Sequence, residues 1–409
     1  MFPLPITTKA GQINGYCDSR FREIADVFAE NFESRDEVGA SVCVMIGGTT
    51  VVDLWGGKRA DGTPWERDTV CVVFSCTKGA SALCAHMAAD RGLLDLDAPV
   101  SRYWPEFAQN GKEDALVSMM LDHSVGLPGI RQTLKAGGAC DYDDMVRLLE
   151  GEAPFWKPGT RHGYHGLTAA WTVGEMVHRS TGKRMGKFFV DEVAKPLGLD
   201  FWIGLPAEFE PRLSMIMPAT TRDPTSRMAV AIAADPMGPA GRFALNTGLF
   251  DANDRAVRAA EIGSASGVSN ARGLAQLYDP LANGGRAKGV SLVGQESLRR
   301  MSSVSVASHE DATLMIPTRF SLGFMKSVDN RALPNCANSS LLFSEDAFGH
   351  AGKGGSIGFA SPAAGMSFGY VMNRQGDSIL LNDRGQNLID AAYRCLGERR
   401  GTTAEANPP

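Results

Sequence analysis

The chain has 409 residues, with 41 Lys and Arg against 46 Asp and Glu and a formal net charge of −5. That balance, with its basic residues scattered rather than blocked, argues against a nucleic-acid partner, and no apolar run approaches the ~18 residues of a membrane span. Hydrophobic residues make up 44% and charged residues 21%, so a globular chain of two domains or two lobes is expected.

From the N-terminus, MFPLPITTKAGQ lacks a basic stretch followed by an apolar core, so it does not read as a secretory signal and a cytoplasmic protein is expected. Residues 18–34 place Phe21, Ile24, Ala25, Phe28 and Phe32 at helical spacing. Residues 39–46 and 50–55 read as two strands joined by a hairpin at Gly47-Gly48. Residues 75–92 read as a helix capped by Gly92. From about 95 to 240 the pattern is mainly helical with long loops, clearest at 167–182 and continuing over 183–199. Helices are expected again at 269–283 and 294–302. Strands follow at 338–344, 355–360, 366–373 and 377–381, then a helix at 386–397. The tail 401–409 reads as disordered.

This order predicts an α+β fold. Residues 1–94 and 245–409 form an α/β domain whose antiparallel sheet draws on both ends of the chain. Residues 95–244 are inserted as a helical domain, and the site is expected in the cleft between the two. Eight cysteines (Cys17, Cys43, Cys71, Cys76, Cys84, Cys140, Cys336 and Cys395) make no CxxC pair and no zinc-ligand spacing. They read as small buried hydrophobes, as do Met215 and Met217, whereas Arg272 is expected at the surface.

The chemistry concentrates where VCVVFSCTKGASAL runs from a strand-like stretch into a helix. Ser75 falls at the helix start and Lys78 one turn on, on the same face. A serine hydroxyl is a poor nucleophile until a base takes its proton. A lysine can be that base when burial or a nearby cation lowers its pKa. The Ser75 N–H, at a helix start, has no intrahelical acceptor and is available to a developing oxyanion. A second Ser-x-x-Lys, Ser180 to Lys183, ends a helix instead and reads as a turn. Gly354-Gly355-Ser356-Ile357-Gly358 matches a nucleophile elbow, but strand-like sequence follows Ser356 where a helix is required.

Further segments extend the pattern. Ser75-Cys76-Thr77-Lys78 resembles the Ser-x-x-Lys of class C β-lactamases, DD-peptidases and their esterase relatives. Leu121-Asp122-His123-Ser124-Val125-Gly126-Leu127-Pro128 resembles the Leu-Thr-His-Thr-Ser-Gly-Leu segment that follows. Pro158-Gly159-Thr160 leading to Tyr164 resembles the run to the catalytic Tyr, and His350-Ala351-Gly352 occupies the place of Lys-Thr-Gly. The nearest subgroup is the family VIII carboxylesterases, in which His-x-Gly commonly replaces Lys-Thr-Gly. Two departures stand out: Tyr164-His165-Gly166 lacks the Asn of Tyr-x-Asn, and His350 replaces a permanent cation. Both favour a simple acyl substrate over a β-lactam.

The resemblance implies roles. Ser75 is the nucleophile, and Lys78 is the base or the cation that keeps Tyr164 acidic. Tyr164 is the proton shuttle, and either Lys78 or Tyr164 is the formal base. The N–H groups of Ser75 and Lys353 form the oxyanion hole, with Lys353 after the turn on the same edge strand. His350 bonds Tyr164 or the substrate, Gly352, Gly354 and Gly355 admit the substrate close to the strand, and Trp156 and His165 line the acyl pocket. The implied function is a serine carboxylesterase acting on small-molecule esters of short to medium chain, with no metal or cofactor. Transfer to another small acceptor, or weak β-lactamase or DD-peptidase action, is the alternative.

Overall fold

The computed structural model describes residues 4–220, 224–334, 339–378 and 380–397. The tail, Cys336 and positions 338 and 379 of two expected strands lie outside the described residues. The central element is a seven-stranded antiparallel sheet built from both ends of the chain. Its strands are β1 (Ile6–Thr8), β2 (Gly11–Cys17), β3 (Gly39–Ile46), β4 (Thr49–Gly57), β5 (Phe348–Ala351), β6 (Ile357–Ser361) and β7 (Met366–Met372), in the order β1-β2-β4-β3-β7-β6-β5. β5 is thus an edge strand, paired with β6 so that His350 faces Gly358.

Five helices fix the site: α1 (Arg22–Ser34), α2 (Thr77–Asp90), α3 (Ala169–Thr181), α4 (Ala271–Ala282) and α5 (Asp383–Cys395). α1 and α5 pack together, and α1 buries Ile24, Ala25, Phe28 and Phe32 as its spacing predicts. α4, capped by the Asn270 side chain accepting from the Gly273 N–H, packs against β3, β6 and β7. Glycines in the sheet allow that approach. A Cβ at Gly369 would stand 2.2 Å from the Ala271 carbonyl oxygen, and one at Gly358 would stand 2.7 Å from the Tyr278 ring. α2, buried along nearly its whole length, packs on α3 and on β5. It therefore joins the helical region to the edge strand. No helix among the described residues is long and apolar enough to cross a membrane.

Several expectations change. β1 and β2 precede the first expected helix, and the described part of 338–344 makes only the single bridges Leu341–Val328 and Ser340–Leu381. Within 377–381 only that Leu381 bridge forms among the described residues. Met215 is exposed. Arg272 is half-buried and reaches Asp53 at 3.3 Å, tying α4 to β4. Ser180 does sit at the end of α3, and Lys183 pairs with Asp191 and Glu192. The seven described cysteines are unpaired.

Candidate active site

The chain enters the site along Cys71–Val72, which pairs with Val268–Ser269, and then turns sharply. Phe74 takes the left-handed region with φ 44°, a conformation worth about 1–3 kcal/mol of strain for such a residue. Contacts on several sides hold it. Thr77 Oγ1 donates to the Phe74 carbonyl at 2.5 Å and accepts from the Gly267 N–H at 3.0 Å. Cys76 Sγ lies 3.2 Å from the His350 carbonyl. A Cβ at Gly352 would stand 2.3 Å from the Val73 carbonyl oxygen. Ser75 therefore sits in a tight 3-10 turn, Phe74–Cys76, immediately before α2, and is half-buried.

Lys78 Nζ lies 3.3 Å from Ser75 Oγ. It also donates to the carbonyls of Gly166 at 2.9 Å and Ser264 at 3.1 Å. Burial lowers its pKa to about 7, with no adjacent carboxylate among the causes to restore it. The arrangement suits a neutral amine. Such an amine has two N–H donors and one lone pair, the two carbonyls take the donors, and the lone pair is left for the serine hydroxyl.

Tyr164 is brought to the same place from the helical region. Lys78 Nζ lies 4.8 Å from the centre of its ring, and the rings of His123, His350 and Phe320 surround it at 4.9, 5.9 and 6.0 Å. Burial pushes the phenol above its ordinary range. The nearby Ser75 hydroxyl opposes that shift, but the Tyr164 hydroxyl is buried without a hydrogen bond of full geometry. The Lys78 nitrogen lies over the ring rather than beside the hydroxyl, and burial favours the protonated phenol.

Of the two partners expected for His350, Tyr164 or the substrate, Tyr164 is not bonded to it here. His350 Nδ1 lies 2.8 Å from the Ala351 carbonyl, to which it donates, so Nε2 is an acceptor, and it is buried without a partner. Burial, and next the Lys78 charge, lower its pKa to about 3. A neutral imidazole is therefore favoured at His350. Tyr164 Oη and His350 Nε2, on rings 5.9 Å apart, are a buried donor and a buried acceptor without partners, the kind of orphan pair that a bound hydroxyl or water satisfies.

His165 is committed to the backbone. Its Nδ1 donates to the Gly163 carbonyl at 2.7 Å, and its Nε2 accepts from the Leu127 N–H at 2.8 Å. It pins one loop to the other and has no ring nitrogen free for a substrate. Trp156, half-buried, donates to the Ser124 carbonyl at 3.1 Å. The Gly159 and Gly163 N–H groups donate to the carbonyls of Ser124 and His123. The two loop motifs thus zip together and carry Tyr164 between them. Gly352 packs on Val73, not on open space. Gly354 and Gly355 have φ of 90° and 121° and abut Gln375 and Asn382, so the turn and its packing require them. Lys353 is exposed within that turn rather than on β5. Ser356 is fully buried, immediately before β6.

Sequence reasoning missed Asp311. Its carboxylate, fully buried, accepts the Tyr164 N–H at 3.0 and 3.1 Å, the Thr313 and Leu314 N–H groups at 2.8 and 2.9 Å, and the Thr318 hydroxyl at 3.0 Å. His162 Nε2 meets the same Thr318 hydroxyl at 2.9 Å. Bonds to a charged acceptor are the strong ones, and these fix the backbone from which the Tyr164 ring projects. No local motif announces the contact, because its partners lie 147 residues apart.

A model of the Beta-lactamase family matches residues 24–391. The chain belongs to that family. The Esterase/beta-lactamase LipL of Mycobacterium tuberculosis is 32% identical over 383 residues, which cover 91% of this chain and 85% of that protein. The crystal structure of a family VIII carboxylesterase is 38% identical with a TM-score of 0.80, covering 94% of this chain and 99% of its own. A penicillin-binding-protein homologue from Caulobacter crescentus is 32% identical with a TM-score of 0.83, over 94% and 99% of the two chains. The family resemblance drawn from the motifs holds across nearly the whole chain, which is a hydrolase of the beta-lactamase fold.

Proposed function

We propose that this hydrolase is a serine carboxylesterase acting on small-molecule carboxylic esters of short to medium chain. The observation that carries the reading is the Lys78 amine, buried, lowered to about 7, and 3.3 Å from Ser75 with two carbonyls taking its other donors. The LipL and family VIII likenesses support ester chemistry. The neutral His350 leaves no fixed cation on β5 for a substrate carboxylate, which favours a neutral ester over a β-lactam.

In the proposed mechanism Ser75 Oγ attacks the ester carbonyl as its proton passes to Lys78 Nζ. The N–H groups of Ser75 and Lys353 hold the oxyanion. The C–O bond to the alcohol then breaks. The Tyr164 hydroxyl gives its proton to the leaving oxygen and regains one from Lys78, while His350 Nε2 accepts the hydrogen bond of the departing alcohol. Water repeats the sequence on the acyl-enzyme and restores Ser75.

A substrate panel tests this. The purified protein is expected to turn over p-nitrophenyl acetate and butyrate faster than octanoate, with kcat/KM for nitrocefin lower by about a hundredfold or more. Fast nitrocefin hydrolysis with idle esters would make the chain a β-lactamase instead.

A further inference from the structure

One of the two carbonyls that hold Lys78 belongs to Gly166, and the space where a side chain would leave that residue is already filled. A Cβ built on Gly166 would stand 2.5 Å from Cε2 and 2.9 Å from Cδ2 of Phe243. Gly166 is not among the positive-φ glycines, so the ring, and not the backbone, demands glycine there. The same ring lies 6.0 Å from that of Tyr164 at 66°. Among the aromatic groups packed round Tyr164, Phe243 is partly open to solvent, whereas His123, His350 and Phe320 are buried.

Phe243 is held in place by its neighbours. It lies on the short helix Pro239–Leu245, between two side chains that grip the loop after Gly129. The buried Arg242 donates to the carbonyls of Ile130 and Arg131, both at 2.9 Å. Asn246 donates to those of Ile130 and Gln132 at 2.7 and 2.8 Å and accepts from the Leu134 N–H at 2.9 Å. The helix Arg227–Ala234 packs on the Phe243 helix, and Arg227 pairs with Glu310 at 2.9 Å, next to the Asp311 that fixes Tyr164. Phe243 is therefore a fixed wall tied to the same backbone as the Tyr164 ring, not a loose flap.

We propose that Phe243 determines acyl specificity: its ring is the apolar wall against which the acyl group on Ser75 lies, and it admits narrow, unbranched aliphatic acyl groups while excluding branched or aromatic ones. The proposal rests on the ester reading above. The unpartnered polar pair, Tyr164 Oη and His350 Nε2, suits the leaving alcohol, so the Phe243 ring beside Gly166 is left for the hydrocarbon of the acid.

Two ester series test it: p-nitrophenyl acetate against p-nitrophenyl pivalate for the acyl side, and methyl against benzyl acetate for the alcohol side. Phe243→Ala is expected to raise the pivalate-to-acetate ratio of kcat/KM about tenfold or more, with the benzyl-to-methyl ratio unchanged. Phe243→Leu, kinder to folding, shifts the same ratio in the same direction by less. Gly166→Ala is expected to cost about tenfold in the wild-type background, where its methyl meets the ring, and less than about threefold beside Phe243→Ala. An unmoved acyl ratio, a shift confined to the alcohol series, or an equal Gly166→Ala penalty in both backgrounds would each overturn the assignment. Wild-type protein idle on every ester would remove the ester reading and this proposal together, and that result is seen before any variant is made.

Discussion

Ser75→Ala is expected to lower kcat/KM for p-nitrophenyl acetate by at least about ten-thousand-fold, roughly 5 kcal/mol of transition-state stabilisation. The variant should keep its fold, because Ser75 is half-buried and caps nothing in α2, whose first turn carries no side-chain cap. What remains after the nucleophile is removed comes from oxyanion donors and binding alone. Ser356→Ala provides the contrast. Its hydroxyl is buried with no partner, so losing it leaves no group unpaired, and activity is expected to stay within about threefold. The reverse pattern would move the nucleophile to Ser356 and discard the site described above.

Lys78 carries the second large effect. Lys78→Ala is expected to cost about a thousandfold, the scale of a lost general base. Lys78→Arg discriminates between the two roles a lysine could hold. Arginine keeps the positive charge but does not give up its proton near neutral pH, so if the amine acts as base, arginine fails as badly as alanine. Recovery of activity with arginine would mean that the charge alone matters. The pH profile of the wild type follows from the same chemistry. The reactive form is the neutral amine, burial lowers its pKa to about 7, and protonation below that value removes the base. Ester kcat/KM is therefore expected to rise with pH through an inflection near 7 and to level off above it. At pH 5, two units lower, roughly 1% of the amine is neutral and activity falls about a hundredfold. A flat profile from pH 5 to 9, or an inflection near 10, would contradict a lowered Lys78.

The parts of this site visible in the sequence are those set by short-range spacing. Ser75 and Lys78 are one turn apart, and backbone geometry alone brings them together. α1 shows through Ile24, Ala25, Phe28 and Phe32, and the β3–β4 hairpin through Gly47-Gly48, because each is specified within a few residues. The motif segments around His123 and Tyr164 are recognisable in order, and the structure gives the physical link between them: backbone N–H groups of one loop bonded to carbonyls of the other, with His165 as the pin. What was hidden depends on contacts between distant segments. The alternation in β2 is broken by Gly11 and Gly15, both at positive φ. Leu341, Leu342 and Phe343 look like a strand, yet the sheet edge is taken by Phe348–Ala351. Burial favours a protonated Tyr164 and a neutral His350, and how completely the fold buries them is something a motif does not state. Asp311 and Phe243 carry no pattern at all, and their roles exist only through Tyr164 and Gly166.

The most direct test is covalent. A fluorophosphonate reacts with an activated serine, and peptide mass spectrometry reads which one. The adduct is expected on the peptide containing Ser75, at one per chain, and it should disappear in Lys78→Arg at neutral pH. Modification of Ser356 or of another serine, with Ser75 unmodified in active protein, would contradict a nucleophile activated by the amine beside it.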